Sequence, residues 1–242
     1  IIDFTGSPTF GNWIEKNCQD ALVYTETAGC NSVVIESTND LPKMATAIAQ
    51  SLCQASAQMC TSVQNIHIPA KGITVNGQPV SFDDVAKAIV TEVDTLLADA
   101  KHAAFLCGTL VTEDIYNTIT RFTQIGNDIG SILRQSKPYE NPGYPNARTA
   151  TPLIIAVSEN QREYYREELF GPISFIIKSD NVELCLVEAT KNARECGAIT
   201  SHVYSTDTAF LEKAQDAYND AGSSVACNLL GMPSNFPASY IN

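Results

Sequence analysis

"NSVVIESTNDLPKMATAIAQSLC", Asn31 to Cys53, is a β-branched run followed directly by an amphipathic segment. Val33, Val34 and Ile35 suit a pleated, buried surface and predict a strand. Asn39 and Asp40 are helix-capping residue types, and Pro42 falls where a first helical turn tolerates it. Met44, Ile48, Leu52 and Ala55 recur at helical spacing, so the pattern predicts a helix reaching Ala57. "SVQNIHIP" (Ser62–Pro69) then reads as a second strand ended by its proline. Strand, helix, strand is the unit of a parallel sheet, because parallel neighbours need a long crossover between them.

The same alternation extends in both directions. "ALVYTETAG" (Ala21–Gly29) lies upstream as a β-rich run, and "KGITVNGQPV" downstream carries an Asn76-Gly77 turn. "SFDDVAKAIVTEVDTLLADA" (Ser81–Ala100) is an amphipathic helix with Ser81 as cap and Val85, Ile89, Val93 and Leu96 on one side. Residues 112–135 read as helical, interrupted at Gly126 and Gly130. "QSKPYENPGYPNARTATP" (Gln135–Pro152) is a long surface loop, not a domain linker, since strand and helix patterns resume beyond it. "LIIAVS" and "ISFIIKS" are buried-type strands on either side of "EELFGP". A helix over 180–196 with Gly197 at its end, a strand in "AITSHVYS", a helix closed by Gly222 and a strand in "SSVACNLL" complete the order. This is an α/β class: a three-layer domain with a mainly parallel sheet flanked by helices.

A net charge of −12 over 242 residues and a pI near 4.6 argue against a nucleic-acid surface, which needs a basic patch. No apolar run approaches the roughly 20 residues of a membrane span. "IIDFTGSPTFGNW" at the start lacks signal-peptide features and reads like a strand entering a turn, as in a fragment of a longer chain. The eight cysteines (18, 30, 53, 60, 107, 185, 196 and 227) form no C-x-x-C pair, and His67, His102 and His202 are dispersed, so no metal site is expected. A chain of this size does not need a disulfide framework, and the cysteines fit a reduced, cytoplasmic protein.

Four short features carry chemistry, and each also has a plainer explanation. Cys60 follows the central helix in a small, polar setting (Gln58, Thr61, Ser62), suited to a thiol nucleophile or to a packed thiol at a helix–strand junction. Glu26 stands beside small residues with room for a ligand, yet a lone glutamate is often a solvated turn residue. Glu168 precedes a Phe-Gly-Pro turn, which punctuates chains without any chemistry. Gly6 and Ser7 end a strand and let backbone approach a cofactor, a weak signal alone. A Cys60/His67 hydrolase is a further alternative, but His67 alternates within a strand and nothing fixes a triad.

Taken in order, "FTGS" (4–7), "TETAG" (25–29), "AQMC" (57–60) and "EELFGP" (167–172) resemble the aldehyde dehydrogenase superfamily across nearly the whole chain. "FTGSPTFGNWIEKN", "AGCNSVVIEST" and "QMCTSVQNIHIP" are similar to its phenylacetic acid degradation branch. The resemblance implies Cys60 as nucleophile and Glu26 as general base. It implies Glu168, Phe170, Gly6 and Ser7 as cofactor-binding residues, with NAD or NADP as cofactor. The expected substrate is a small-molecule aldehyde, free or CoA-linked, such as a semialdehyde of aromatic catabolism. No nucleic-acid or membrane partner is expected, and the full-length protein is expected to be a homo-oligomer. A non-catalytic relative serving assembly is the alternative.

Residues 1–28 would end the cofactor-binding and interdomain region, and 29–242 would be the catalytic domain. Most of the dinucleotide domain, with its oxyanion asparagine, and the C-terminal oligomerisation strand would then lie outside this chain, leaving the fragment alone inactive. The chain departs from the family at Thr27, Ala28 and Cys30, in place of Leu, Gly and Lys, and at Ala57, where the family has Gly before Gln-x-Cys.

Overall fold

The computed structural model describes residues 1–27 and 29–231; Ala28, one of the departures from the family pattern, and residues 232–242 lie outside that description. The chain opens with β1 (Ile2–Gly6), α1 (Pro8–Asn17) and β2 (Val23–Thr27). Ser7 caps α1 by accepting a hydrogen bond from the Phe10 N–H, and Pro8 occupies the first turn, where its missing N–H costs nothing. β1 and β2 make a separate parallel pair in which Thr5 lies opposite Glu26.

The chain then runs through β3 (Ser32–Ile35), β4 (Ser37–Thr38), α2 (Leu41–Cys53) and β5 (Asn65–Pro69). The hairpin of β6 (Ile73–Val75) and β7 (Gln78–Val80) follows, then α3 (Phe82–Leu96), α4 (Ala100–Cys107) and α5 (Glu113–Ile129). Next come β8 (Ser131–Arg134), β9 (Leu153–Ser158), the single turn α6 (Arg162–Tyr165) and β10 (Ile173–Ser179). α7 (Val182–Cys196), β11 (Thr200–Tyr204), α8 (Thr208–Ala221) and β12 (Ser224–Cys227) end the described fold.

The main sheet has the order β12-β11-β3-β5-β10-β9-β8, parallel except for β8 at one edge. Its central strands are buried along nearly their whole length, because helices cover both faces. On one face, α2 and α3 bring Met44, Ile48, Leu52, Val85, Ile89 and Val93 against Val33, Ile66, Ile68 and Ile176. On the other, α5 packs Ile119 and Phe122 near Ile155 and Phe175, while α7 and α8 cover Val34 and Val203. Each such fully buried side chain contributes roughly 1.5–3 kcal/mol. The result is the three-layer α/β domain anticipated from the alternation.

Three local expectations change. Helical periodicity runs on to Ala57, yet α2 stops at Cys53 and the chain turns left-handed. Gly126 lies inside α5 without interrupting it, and the tail of that segment is the edge strand β8. α1 and α4 are additional helices. Among the described residues, no helix is long and apolar enough to cross a membrane.

Candidate active site

Cys60 owes its position to an abrupt end of helix. After Cys53, Ala55, Ser56 and Ala57 all take positive φ values of 50–52°, a region that costs a side-chain-bearing residue roughly 1–2 kcal/mol each. Side-chain hydrogen bonds hold this run in place. Ser56 Oγ donates to the Cys107 carbonyl at 2.9 Å. The Gln58 amide donates to the carbonyls of Ala55 and Thr109 and accepts from the Val111 N–H, each at 2.9 Å. Gln58 thereby joins the turn before Cys60 to the segment leading into α5.

The loop of Glu168 is fixed by side-chain amides too. Gln64, just ahead of β5, donates to the carbonyls of Tyr165 and Glu167 and accepts from the Leu169 N–H at 2.7 Å. Asn65 donates to the Tyr165 carbonyl, and the Cys30 thiol donates to that of Arg166 at 2.9 Å. Gly171, at φ +146°, lets the chain turn beside Ile115, whose Cγ2 would lie 2.6 Å from any Cβ there.

Glu26 comes from the small sheet, near the carboxyl end of β2. Between β2 and β3 the chain passes close to the end of α7. A Cβ on Gly29 would sit 2.2 Å from the Gly197 carbonyl oxygen, and the Cys30 N–H donates to that same oxygen at 2.9 Å. The carboxyl ends of β1 and β2 thus meet loops that precede β3, β5 and β10.

Between them lies a cavity of about 480 Å³. Cys60, Glu26, Glu168, Phe170, Gly6 and Ser7 all line it, drawn from four separated stretches of sequence. Val111, Thr112 and Ile115, none of them singled out in the sequence, form a further wall. His67 is elsewhere: it is fully buried in β5, edge-on to Tyr165 at 6.2 Å, and is not among the residues lining the cavity. This arrangement gives no support to a Cys60/His67 pair.

Burial raises the Cys60 thiol above its ordinary pKa, and the negative charges of Glu26 and Glu168 raise it further. The N–H groups of Cys60 and Thr61 act on the sulfur in the opposite sense. Burial also pushes the Glu168 carboxyl up to about 7. A thiol held protonated beside a carboxylate suits attack on an electrophilic carbon with proton transfer to that carboxylate. Among the described residues, no cluster of three or more His, Cys, Asp or Glu is placed to hold a metal, and all eight cysteines are free thiols.

The aldehyde dehydrogenase family model matches residues 1–236. The chain belongs to the aldehyde dehydrogenase family. It is similar to 1-pyrroline-5-carboxylate dehydrogenase of Bacillus subtilis, 24% identical over 90% of this chain and 41% of the relative. Geranial dehydrogenase of Castellaniella defragrans is 23% identical over 85% of this chain and 41% of its own length. Among solved structures, an NAD-dependent aldehyde dehydrogenase from Burkholderia multivorans superposes with a TM-score of 0.93 at 38% identity, covering 100% of this chain and 43% of that one. The chain therefore spans less than half the length of these family members.

Asn31 and Gln64 were not legible as site residues in the family's short motifs. Asn31 reads as the polar start of a strand, and Gln64 as one residue of "SVQNIHIP". Their signal is an uncharged amide immediately ahead of a fully buried parallel strand, where strand-end backbone groups need partners.

Proposed function

We propose that the chain is the catalytic part of an NAD(P)-dependent enzyme that oxidises an aldehyde to a carboxylic acid through a covalent intermediate on Cys60. The observation that carries this reading is the convergence of Cys60, Glu26 and Glu168 on one cavity. The Cys60 sulfur adds to the aldehyde carbon, the carbonyl electrons move to oxygen, and the thiol proton passes to Glu26. The oxygen anion faces the Cys60 and Thr61 N–H groups, donors of a kind worth roughly 3–4 kcal/mol in such sites. A nicotinamide dinucleotide, when bound, supplies the hydride acceptor. Loss of hydride from the adduct carbon leaves a thioester on Cys60, and Glu26 gives the thiol proton up to solvent. As a carboxylate again, Glu26 takes a proton from the water that attacks the thioester carbon; the carbon–sulfur bond then breaks and the departing sulfur takes that proton back as the thiol.

The residues present fit the nicotinamide-ribose half of that cofactor. Gly6 presents backbone at the end of β1, the Glu168 carboxyl can accept from ribose hydroxyls, and Phe170 keeps an exposed ring face in the same cavity. Residues 1–28 belong, on this reading, to the cofactor-binding side and 29–242 to the catalytic side.

The substrate proposed is an aldehyde of aromatic catabolism, as in phenylacetate breakdown, uncharged near its reacting end. Val111, Ile115 and Phe170 offer an apolar wall, and the charged residues lining the cavity are the carboxylates Glu26 and Glu168. A substrate carboxylate would be repelled there, whereas a neutral or remotely CoA-linked chain would not.

The test is aldehyde-dependent NAD(P)H formation by the protein with its full cofactor-binding region. Cys60→Ser abolishes it, while Cys53→Ser, in the α2 core, retains most of it. Glu26→Gln gives one burst of NAD(P)H, slower than the first turnover of wild type, and then stalls. Wild-type turnover by Cys60→Ser overturns the nucleophile assignment, and an absence of aldehyde oxidation by the wild-type protein favours the assembly alternative.

A further inference from the structure

Asn31 is 1% exposed, and its side-chain amide makes four hydrogen bonds. Its Nδ2 donates to the carbonyl of Cys60 at 2.7 Å and to that of Ser62 at 3.0 Å. Its Oδ1 accepts from the N–H groups of Ile199 and Thr200, each at 3.0 Å. Two carbonyls on one side and two N–H groups on the other admit only one orientation of the amide. Asn31 is not among the residues lining the cavity, so it does not meet the substrate.

A trans peptide points its carbonyl and the following N–H in opposite directions. The Cys60 carbonyl is held on the buried Asn31 amide, so the Thr61 N–H is turned the other way, on the side of the Cys60 sulfur. There it acts on the Cys60 sulfur together with the N–H of Cys60 itself. The anchor behind Asn31 is firm: Ile199 and Thr200 lead into β11, whose register with β3 is fixed in the buried centre of the sheet.

We propose that Asn31 is the positioning residue of the nucleophile: it fixes the plane of the 60–61 peptide so that the Thr61 N–H faces the Cys60 sulfur and the oxygen anion formed beside it. This rests on Cys60 as the nucleophile. The groups acting on the sulfur are then the carboxylates Glu26 and Glu168, which raise the thiol pKa, and two backbone N–H groups, which lower it.

The test is the pH profile of Cys60 alkylation by iodoacetamide, followed by mass spectrometry of the Cys60 peptide in wild type, Asn31→Ala and Ile89→Ala. Ile89→Ala opens a hole in the core under α3 and lowers stability without touching the loop. Asn31→Ala moves the midpoint of labelling upward by about one pH unit, which is about tenfold slower labelling below the midpoint. Ile89→Ala leaves the midpoint where it is. A midpoint in Asn31→Ala equal to wild type overturns the positioning role, and so does an equal shift in both variants.

If Asn31→Ala does not fold, the Thr61 amide of the wild-type chain is followed by NMR across the thiol titration. A downfield shift as the thiolate forms supports the geometry, and an unmoved resonance overturns it. Undiminished aldehyde oxidation by Cys60→Ser overturns the nucleophile assignment instead, leaving the titration readable. The two failures are therefore distinct.

Discussion

Moving the chain from about pH 7.5 to about pH 5 tests His67, which lies in the middle of β5 with no exposed surface. Neither ring nitrogen has a hydrogen-bond partner, and burial alone holds the imidazole pKa down to about 3 against 6.5 for the free side chain. The folded value is the depressed one, so His67 costs the fold nothing extra above pH 6.5. Stability is lost as pH falls through the window from 6.5 to 3. At pH 5 the unfolded chain has taken up the proton and the folded chain has not, a difference of about 2 kcal/mol by linkage. Urea denaturation of wild type and His67→Leu at both pH values measures it. Leucine keeps apolar volume and removes two unpartnered nitrogens, so the variant is at least as stable at pH 7.5. Between pH 7.5 and 5 it loses about 2 kcal/mol less than wild type. Titration of every other group cancels in that comparison. Equal losses in the two proteins refute the assignment of His67 as a buried, neutral imidazole.

Three further outcomes follow from single positions. Ala57→Gly relieves a φ of 50° and raises stability by about 0.5–1 kcal/mol, read as a higher thermal midpoint; a lower midpoint contradicts the strain. Gly29→Ala drives a Cβ against the Gly197 carbonyl and costs about 3 kcal/mol in denaturant unfolding, whereas unchanged stability would show that the approach of the β2–β3 connection to the end of α7 is loose. Glu168 becomes a carboxylate as pH rises through about 7, so wild-type NAD(P) affinity climbs between about pH 6 and 8 and Glu168→Gln flattens that rise. Titration of cofactor binding across that range decides it, and a wild-type profile in the variant counts against ribose contact.

The strands and long helices were readable because β-branched runs and helical spacing agree with the caps. Asp40 accepts from the Lys43 N–H and Ser81 from the Asp84 N–H, as their positions suggest. The end of α2 was not readable. Gln54 to Ala57 are all compatible with helix, and the chain leaves it because Ser56 and Gln58 find carbonyl and N–H partners around α4, about fifty residues on in sequence. Local preference carries no trace of those contacts. At the site, Cys60, Glu26, Glu168, Phe170, Gly6 and Ser7 were named from short motifs, and one cavity brings them together. Val111, Thr112 and Ile115 escaped notice because they belong to a capped helix start that looks ordinary in sequence. Ala57 shows the reverse case: the family's glycine at this place has a backbone reason, and alanine occupies the left-handed position in spite of it.

The loops around the cavity are tied down by Asn31, Gln58, Gln64 and Asn65, every one a neutral amide. These tethers neither gain nor lose charge across the working pH range, and dissolved ions have little purchase on them. The frame is electrically silent, while the groups it holds are not. Above about pH 6.5, where His67 is neutral in folded and unfolded chain alike, sensitivity of the proposed reaction to acidity or ionic strength can then be traced to the thiol, the two carboxylates and the incoming ligands, with these tethers unchanged.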